Sequence, residues 1–230
     1  MRQRIWEIDY LRGTAIILMV IFHLVVDLTD FYGFQMEYLS GFWYYLGKVS
    51  AVLFMLLAGG SSVLNRKPLP HGVRILAAAV LVSAVTYWFL PAAYVRFGIL
   101  HLLGTCICLS AWLRRLPAWG LLLLAVAMLA LPYWLDGLAV ESGLLLPLGI
   151  TPAVFSSIDY YPLIPWLGVF LLGLLAGRRL YSRPQPRLRQ WPGTKGICWL
   201  GRRSLLIYLL HQPVLLASLY LLSTLLAVMR

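Results

Sequence analysis

Long apolar runs, separated by short polar connectors that contain Pro and Gly, dominate this chain of 230 residues. A run of roughly 18 or more apolar residues is long enough to cross a bilayer as a helix. Hydropathy and flanking residues predict seven such spans, which are 8–29, 42–64, 73–91, 95–113, 117–135, 161–178 and 201–228. The pattern predicts an all-α, polytopic transmembrane helix bundle, with residues 1–230 forming a single integral-membrane domain.

Two connectors are longer than the rest, and two clusters of small residues lie inside the spans. Residues 136–160 join the fifth and sixth spans, and the Arg- and Pro-rich residues 179–200 precede the seventh. Small residues cluster at Ala58–Ser62 and at Gly173-x-x-x-Gly177. Because small side chains let helix backbones approach closely, both clusters predict helix–helix contacts.

Composition and charge support a membrane protein and indicate its orientation. Only 12% of the residues are charged, against about 25% in soluble proteins. With the N-terminus in the cytoplasm, the cytoplasmic segments contain every basic residue except Lys48, Arg96 and Arg230. Six acidic residues fall on the outer side, which are Asp27, Asp30, Glu37, Asp136, Glu141 and Asp159. This imbalance predicts a cytoplasmic N-terminus and an outer C-terminus. The net charge of +11 then indicates topology and contact with anionic membrane lipids, not nucleic-acid binding.

The first span contains ionisable residues that are costly to keep in a membrane. His23 follows Arg12 by eleven positions, which is about 16 Å along a helix. Asp27 lies four residues further, on the same helix face. An intramembrane ionisable residue indicates a functional site by default, and an imidazole beside a carboxylate can act as a general base. We therefore expect His23, oriented by Asp27, to be the base; a structural hydrogen bond between helices is the alternative.

Other polar residues in or near the spans have functional and structural interpretations. Arg96 and His101 lie at the start of the fourth span, where His101 either acts in chemistry or bonds to a neighbouring helix. Asp159, at the outer end of the sixth span, either contacts substrate or complements a helix dipole. His211 precedes Pro213, whose ring should kink the helix, so this histidine either acts in chemistry or bonds to a freed carbonyl.

Neither a metal site nor a disulfide framework is predicted. Cys106, Cys108 and Cys198 show no CxxC or Cys/His spacing, and no HxxxH motif occurs. The cysteines are interpreted as small buried hydrophobic residues.

The polar motifs together carry a resemblance to a known family. They are Asp9–His23 (DYLRGTAIILMVIFH), Arg96–Gly104 (RFGILHLLG), Tyr161–Gly168 (YPLIPWLG) and Leu200–Pro213 (LGRRSLLIYLLHQP). They resemble bacterial members of the heparan-α-glucosaminide N-acetyltransferase family over essentially the whole chain. The Arg-x10-His spacing is also similar to that of the acyltransferase-3 membrane enzymes, which O-acylate cell-surface glycans.

The resemblance implies an enzyme of the bacterial cytoplasmic membrane with no permanently bound cofactor. It would move an acetyl or other acyl group from cytoplasmic acyl-CoA to a glycan or small-molecule acceptor, a sugar amine or hydroxyl, at the outer side. Catalytic candidates are His23, Asp27, His211 and His101. Candidates for binding the anionic donor are Arg12, Arg178, Arg179, Arg202 and Arg203. Candidates for binding the acceptor are Arg96, Asp159 and Trp166.

The chain departs from these relatives in two respects. The lysosomal member has Asn in place of His23 and its proposed catalytic His a little later, whereas this chain has no His between Leu24 and His71. The acyltransferase-3 pattern instead points to His23. The chain also has fewer spans than either relative, which is compatible with a homodimer.

Three functional hypotheses remain open at this stage. An acyltransferase would use His23 either as a general base or through an acyl-imidazole intermediate. A transporter of small solutes or protons would use the same His and Asp residues as a relay. A non-enzymatic membrane partner would keep the fold without the chemistry. Acyl-CoA binding distinguishes the first hypothesis from the other two, and proton-dependent uptake would favour the second.

Overall fold

The computed structural model describes residues 5–135, 140, 143–183 and 185–228. Arg2, Arg4, Asp136, Glu141 and Arg230, which entered the charge argument, lie outside the described residues. Of the described residues, 74% are helical, and the β-type pairing among them is an isolated bridge between Phe97 and Tyr160. The predicted all-α, polytopic membrane fold is confirmed.

The helices follow the predicted spans closely. They are α1 (Trp6–Tyr32), α2 (Gly41–Ser62), α3 (Pro68–Phe89), α4 (Ile99–Leu113), α5 (Ala118–Ala130), α6 (Pro132–Leu135), the 3-10 helix Gly143–Leu148, α7 (Leu163–Leu180), α8 (Lys195–Arg202) and α9 (Ser204–Val228). Six described helical segments are long and apolar enough to cross a membrane, with α5 and α6 counted together, while α4 is shorter. Every predicted span therefore contains a helix.

Proline and glycine set several of the helix ends. Pro68 is in the first turn of α3, and Pro117 and Pro162 directly precede α5 and α7. Proline is favoured there because its fixed φ suits a helix start and its missing N–H would have no helical partner. Gly33 ends α1 in the left-handed conformation, with φ of 73°, which glycine adopts without steric cost.

Contacts divide the chain into two compact units, and one of them contains Met55–Gln185. Its main pairings are α3 with α4 and α5 with α7. A Cβ at Gly59 would overlap the carbonyl oxygen of Phe170, and one at Gly177 would overlap that of Gly60. The two small-residue clusters identified in the sequence thus pack against each other, which confirms that they form a helix contact.

The other unit contains Gln3–Phe54 and Pro186–Arg230. Here α1 packs against α8 and α9. Two predictions need correction: the last span begins at Ser204, not residue 201, and the connector before it contains α8. The backbone leaves helical geometry at Arg203, which separates α8 from α9. The single-domain organisation expected from the sequence stays a prediction.

Candidate functional site

The contact between α1 and α9 brings two sequence-predicted histidines together. The ring centroids of His23 and His211 are 4.7 Å apart, and the rings meet edge to face at 79°. A second close contact lies ten positions earlier in both segments, where Gly201 of α8 approaches Gly13 of α1. The same ten-residue step on both sides shows that the chain entering α9 runs parallel to α1. The histidines therefore lie about 15 Å along the helices from the Gly13–Gly201 contact.

Each histidine is oriented by a carbonyl of its own helix. His23 Nδ1 is 2.9 Å from the Met19 carbonyl oxygen, and His211 Nδ1 is 2.6 Å from that of Tyr208. Because a carbonyl can only accept a hydrogen bond, each Nδ1 carries the proton and each neutral ring has its lone pair on Nε2. Both imidazoles are thus in the tautomer that can accept a proton at Nε2.

Asp27 is held by a residue that the sequence analysis missed. Its side chain is only 1% exposed, and Gln212 Nε2 donates a hydrogen bond of 2.6 Å to Asp27 Oδ1. The expectation that Asp27 orients His23 is therefore corrected: the Met19 carbonyl orients the ring, and the carboxylate pairs with Gln212. The polar pair His211–Gln212 within an apolar helix was a signal that could have identified the glutamine.

Three buried polar atoms of this cluster have no hydrogen-bond partner within the described part of the chain. They are Asp27 Oδ2, His211 Nε2 and Gln212 Oε1. A carboxylate oxygen, an imidazole lone pair and an amide oxygen are all acceptors. Leaving buried acceptors unpaired is unfavourable by about 1–3 kcal/mol each. The cluster is consequently complementary to a group that donates several hydrogen bonds.

Comparison with known families places this cluster in context. Residues 4–213 match the family described as heparan-alpha-glucosaminide N-acetyltransferase, catalytic, and the match includes all four side chains of the cluster. The chain belongs to the heparan-alpha-glucosaminide N-acetyltransferase family. No curated protein and no solved structure matches it. Membership confirms the resemblance found in the sequence, and it implies acetyltransferase activity in a multi-pass membrane protein.

His101 of this acetyltransferase-family chain lies in the unit formed by Met55–Gln185. Its two ring nitrogens form hydrogen bonds that hold the start of α4 in place. The Gly98 N–H donates to His101 Nδ1 at 3.3 Å, and Nε2 is 3.4 Å from Ser83 Oγ on α3. Ser83 Oγ in turn donates to the Val95 carbonyl at 2.5 Å. Both ring nitrogens are engaged, so the contacts support the structural interpretation of His101.

The three candidates for acceptor binding belong to the same unit as His101. The Arg96 guanidinium lies over the Tyr94 ring at 5.1 Å and over the Phe155 ring at 5.5 Å. The Asp159 carboxylate accepts the Ile99 N–H at 3.0 Å. A carboxylate at a helix N-terminus complements the helix dipole, so Asp159 stabilises the start of α4. The Trp166 ring contacts the Tyr161 ring at 5.4 Å.

Of the basic residues expected to bind the donor, Arg178 forms hydrogen bonds with backbone carbonyls. Its guanidinium donates to the Leu116 carbonyl at 2.7 Å and to the Arg114 carbonyl, so it supports the turn between α4 and α5. Arg202 and Arg203 are exposed, and the Arg203 guanidinium lies over the Trp199 ring at 5.0 Å. Arg12 adjoins Gly13, and Arg179 lies in the last turn of α7.

Proposed function

We propose that this protein is a membrane N-acetyltransferase that transfers an acetyl group from acetyl-CoA to an amine, with the cluster of His23, Asp27, His211 and Gln212 as its reaction centre. The observation that carries the proposal is the pair of half-buried imidazoles, both with Nε2 available as a base, beside a buried carboxylate. Family membership supports the acetyl transfer. The chemistry of the unpaired acceptors supports the choice of an amine.

An ammonium group fits the three unpaired acceptors better than a hydroxyl does. A primary ammonium has three N–H donors, so it can donate to Asp27 Oδ2 and Gln212 Oε1 and keep one N–H for the Nε2 of either imidazole, whereas a hydroxyl has a single donor. Its charge would also compensate the Asp27 carboxylate, which otherwise carries an unfavourable buried negative charge. Asp27 Oδ2 would bind the ammonium and Gln212 would fix the carboxylate in position.

The amine must lose a proton to attack the thioester. In the proposed step, His23 Nε2 takes a proton from the amine, and the amine nitrogen bonds to the acetyl carbonyl carbon. The carbon–sulfur bond then breaks, the thiolate takes up the second proton that the nitrogen loses as it becomes an amide, and free CoA leaves together with the N-acetyl product. His23 then releases its proton to solvent. A route through acetyl-histidine would use the same Nε2 as nucleophile.

The donor is proposed to approach from the N-terminal end of α1. Arg12 lies about 16 Å along α1 from His23, a separation suited to the long pantetheine arm that carries the acetyl thioester. A charge-assisted bond from an arginine to a CoA phosphate would anchor the opposite end of the donor.

Replacing His23 tests the proposal directly. In protein reconstituted in nanodiscs, transfer from radiolabelled acetyl-CoA to glucosamine should fall by about 10²–10⁴ in His23→Ala, because the general base is lost. CoA binding should remain, since the imidazole does not contact the phosphates. His71→Ala is the matched control, because His71 is an exposed residue in the first turn of α3; its activity should be unchanged.

The companion variant His211→Ala decides which imidazole is the base. If His211→Ala is inactive while His23→Ala transfers at a near-normal rate, the base is on α9 and the assignment to His23 is wrong. If neither substitution changes transfer, the cluster is not the reaction centre. Proton-dependent solute uptake in the same reconstituted protein would then support a transporter.

A further inference from the structure

We infer that α8 and the strap before it, residues 186–194, form a docking surface for anionic phospholipid headgroups. The surface lies on the membrane face at which α1 begins. This inference concerns how the protein contacts its membrane, and it is independent of the proposed acetyl transfer.

The position of the strap is fixed by the first turn of α1. Glu7 Oε1 accepts hydrogen bonds from the backbone N–H groups of Arg187 and Leu188, at 2.5 and 2.8 Å. The indole N–H of Trp6 donates to the Leu188 carbonyl at 2.9 Å. Because Glu7 is itself buried, these bonds hold the strap at the end of a membrane-spanning helix.

Helix α8 is held against α1 through its inner face. Thr194, Cys198 and Gly201 are buried, and they recur at helical spacing. Cys198 Sγ is 3.7 Å from the Trp6 carbonyl oxygen. A Cβ at Gly201 would overlap the Asp9 carbonyl oxygen, so the two helix backbones are in direct contact. This packing leaves the opposite face of α8 to point away from the protein.

The outer face of α8 combines basic and aromatic side chains. Lys195, Trp199 and Arg202 are exposed and follow one another at positions i, i+4 and i+7, which lie on one side of a helix. The Arg203 guanidinium stacks over Trp199 at 5.0 Å. Trp is favoured at the membrane–water interface, and Lys and Arg beside it attract anionic headgroups.

The strap, residues 186–194, also carries exposed basic and apolar side chains. Leu188 is 65% exposed, and Trp191 is 72% exposed. Arg187 and Arg189 flank Leu188, and residues 186–203 contain no Asp or Glu. The shared chemistry of this surface is phosphate recognition, which the phosphates of CoA could also satisfy. The exposed apolar side chains favour the lipid, because a bilayer buries them and a water-soluble nucleotide would not.

The test measures which lipid lies next to Trp199. The full chain is reconstituted in nanodiscs that contain either brominated phosphatidylglycerol or brominated phosphatidylcholine at the same mole fraction. Quenching by bromine at Trp199 is obtained as the difference between the native chain and Trp199→Phe. We expect stronger quenching by the anionic lipid in the native chain. Lys195→Gln/Arg202→Gln/Arg203→Gln should abolish that preference, since a basic residue near an anionic leaflet changes binding roughly fivefold.

A second triple variant controls for the loss of positive charge. Arg66→Gln/Lys67→Gln/Arg74→Gln removes three exposed basic residues elsewhere in the chain, and it should keep the lipid preference at Trp199. CoA affinity is measured in the same α8 variant, because Arg202 and Arg203 are also candidates for binding the donor. Equal quenching by the two lipids in the native chain would overturn the inference. A fall in CoA affinity with lipid preference intact would also overturn it, and would return Arg202 and Arg203 to donor binding. Neither readout depends on acetyl transfer.

Discussion

At the scale of single residues, the candidate site is defined by a buried carboxylate, Asp27, whose hydrogen bonding Gln212 satisfies only in part. A carboxylate that is 1% exposed needs either a cation or hydrogen-bond donors, because burial of an uncompensated charge is unfavourable. Gln212 supplies one donor, at 2.6 Å, and leaves Oδ2 unpaired. Asp27 Oδ2 therefore needs a hydrogen-bond donor from outside the described cluster. An ammonium ligand would supply that donor together with a compensating positive charge.

The substitution Asp27→Asn should separate charge recognition from proton transfer. Asparagine can still accept the Gln212 hydrogen bond, but it lacks the negative charge. We expect the KM for the amine to rise about tenfold or more, because bonds to charged groups contribute about 1.5–3 kcal/mol. The loss of kcat should be smaller than in His23→Ala. The measurement is steady-state kinetics with varied amine concentration at saturating acetyl-CoA.

Gln212→Leu is the companion variant for the same pair. It should lower stability by about 1–3 kcal/mol, because both buried carboxylate oxygens then lack a donor.

An unchanged KM for the amine in well-folded Asp27→Asn would show that the carboxylate does not hold the acceptor.

The sequence identified the residue types of the candidate site but not their partners. His23, Asp27 and His211 were identifiable because ionisable groups in apolar spans are conspicuous. The i, i+4 spacing suggested that Asp27 orients His23, yet the ring bonds to Met19 in its own helix. Gln212 was missed as a partner because its contact with Asp27 joins positions 185 residues apart, a separation that no local pattern encodes.

At the scale of helices, close backbone contact at glycine determines how α8 meets α1. Gly13 and Gly201 each face backbone atoms of the opposite helix, with no room for a side chain. The sequence identified the comparable glycines of α2 and α7 because they lie in apolar spans. It missed α8 because a short helix with Lys, Arg and Trp on one face does not produce a continuous hydropathy signal.

The substitution Gly201→Ala tests this helix contact. The added methyl group would overlap the Asp9 carbonyl, and we expect a loss of about 1–3 kcal/mol, as for other overpacked sites. The apparent Tm in detergent should therefore fall. Gly196→Ala is the matched control within α8, since a Cβ there meets no atom within 4 Å.

Because alanine favours a helix over glycine by about 0.5–1 kcal/mol, Gly196→Ala should keep or raise the apparent Tm. An equal decrease in both variants would mean that the α1–α8 contact does not limit stability.

At the scale of the whole molecule, the direction of α9 relative to α1 predicts on which side of the membrane α9 ends. The strap and α8 are bonded to the first turns of α1, and α9 begins two residues after α8 ends. Both helices therefore start at the same membrane face. The charge distribution predicts that this face is cytoplasmic, and the parallel direction of α9 predicts that the chain leaves the membrane on the opposite side.

Reporter fusions test this orientation. A reporter inserted within residues 183–195 should be cytoplasmic, and one fused after Arg230 should lie outside, because α9 has 25 residues, about 37 Å of helix, and can cross a hydrocarbon core about 30 Å thick. Alkaline phosphatase, which is active outside, and green fluorescent protein, which is fluorescent inside, give opposite signals at each site. If both positions report the same side, α9 does not cross the membrane, His211 cannot meet His23 in a parallel pair, and the faces assigned to donor and acceptor are wrong. If the two signals are opposite but reversed, the His23–His211 pair stands and the donor must enter from the outer side.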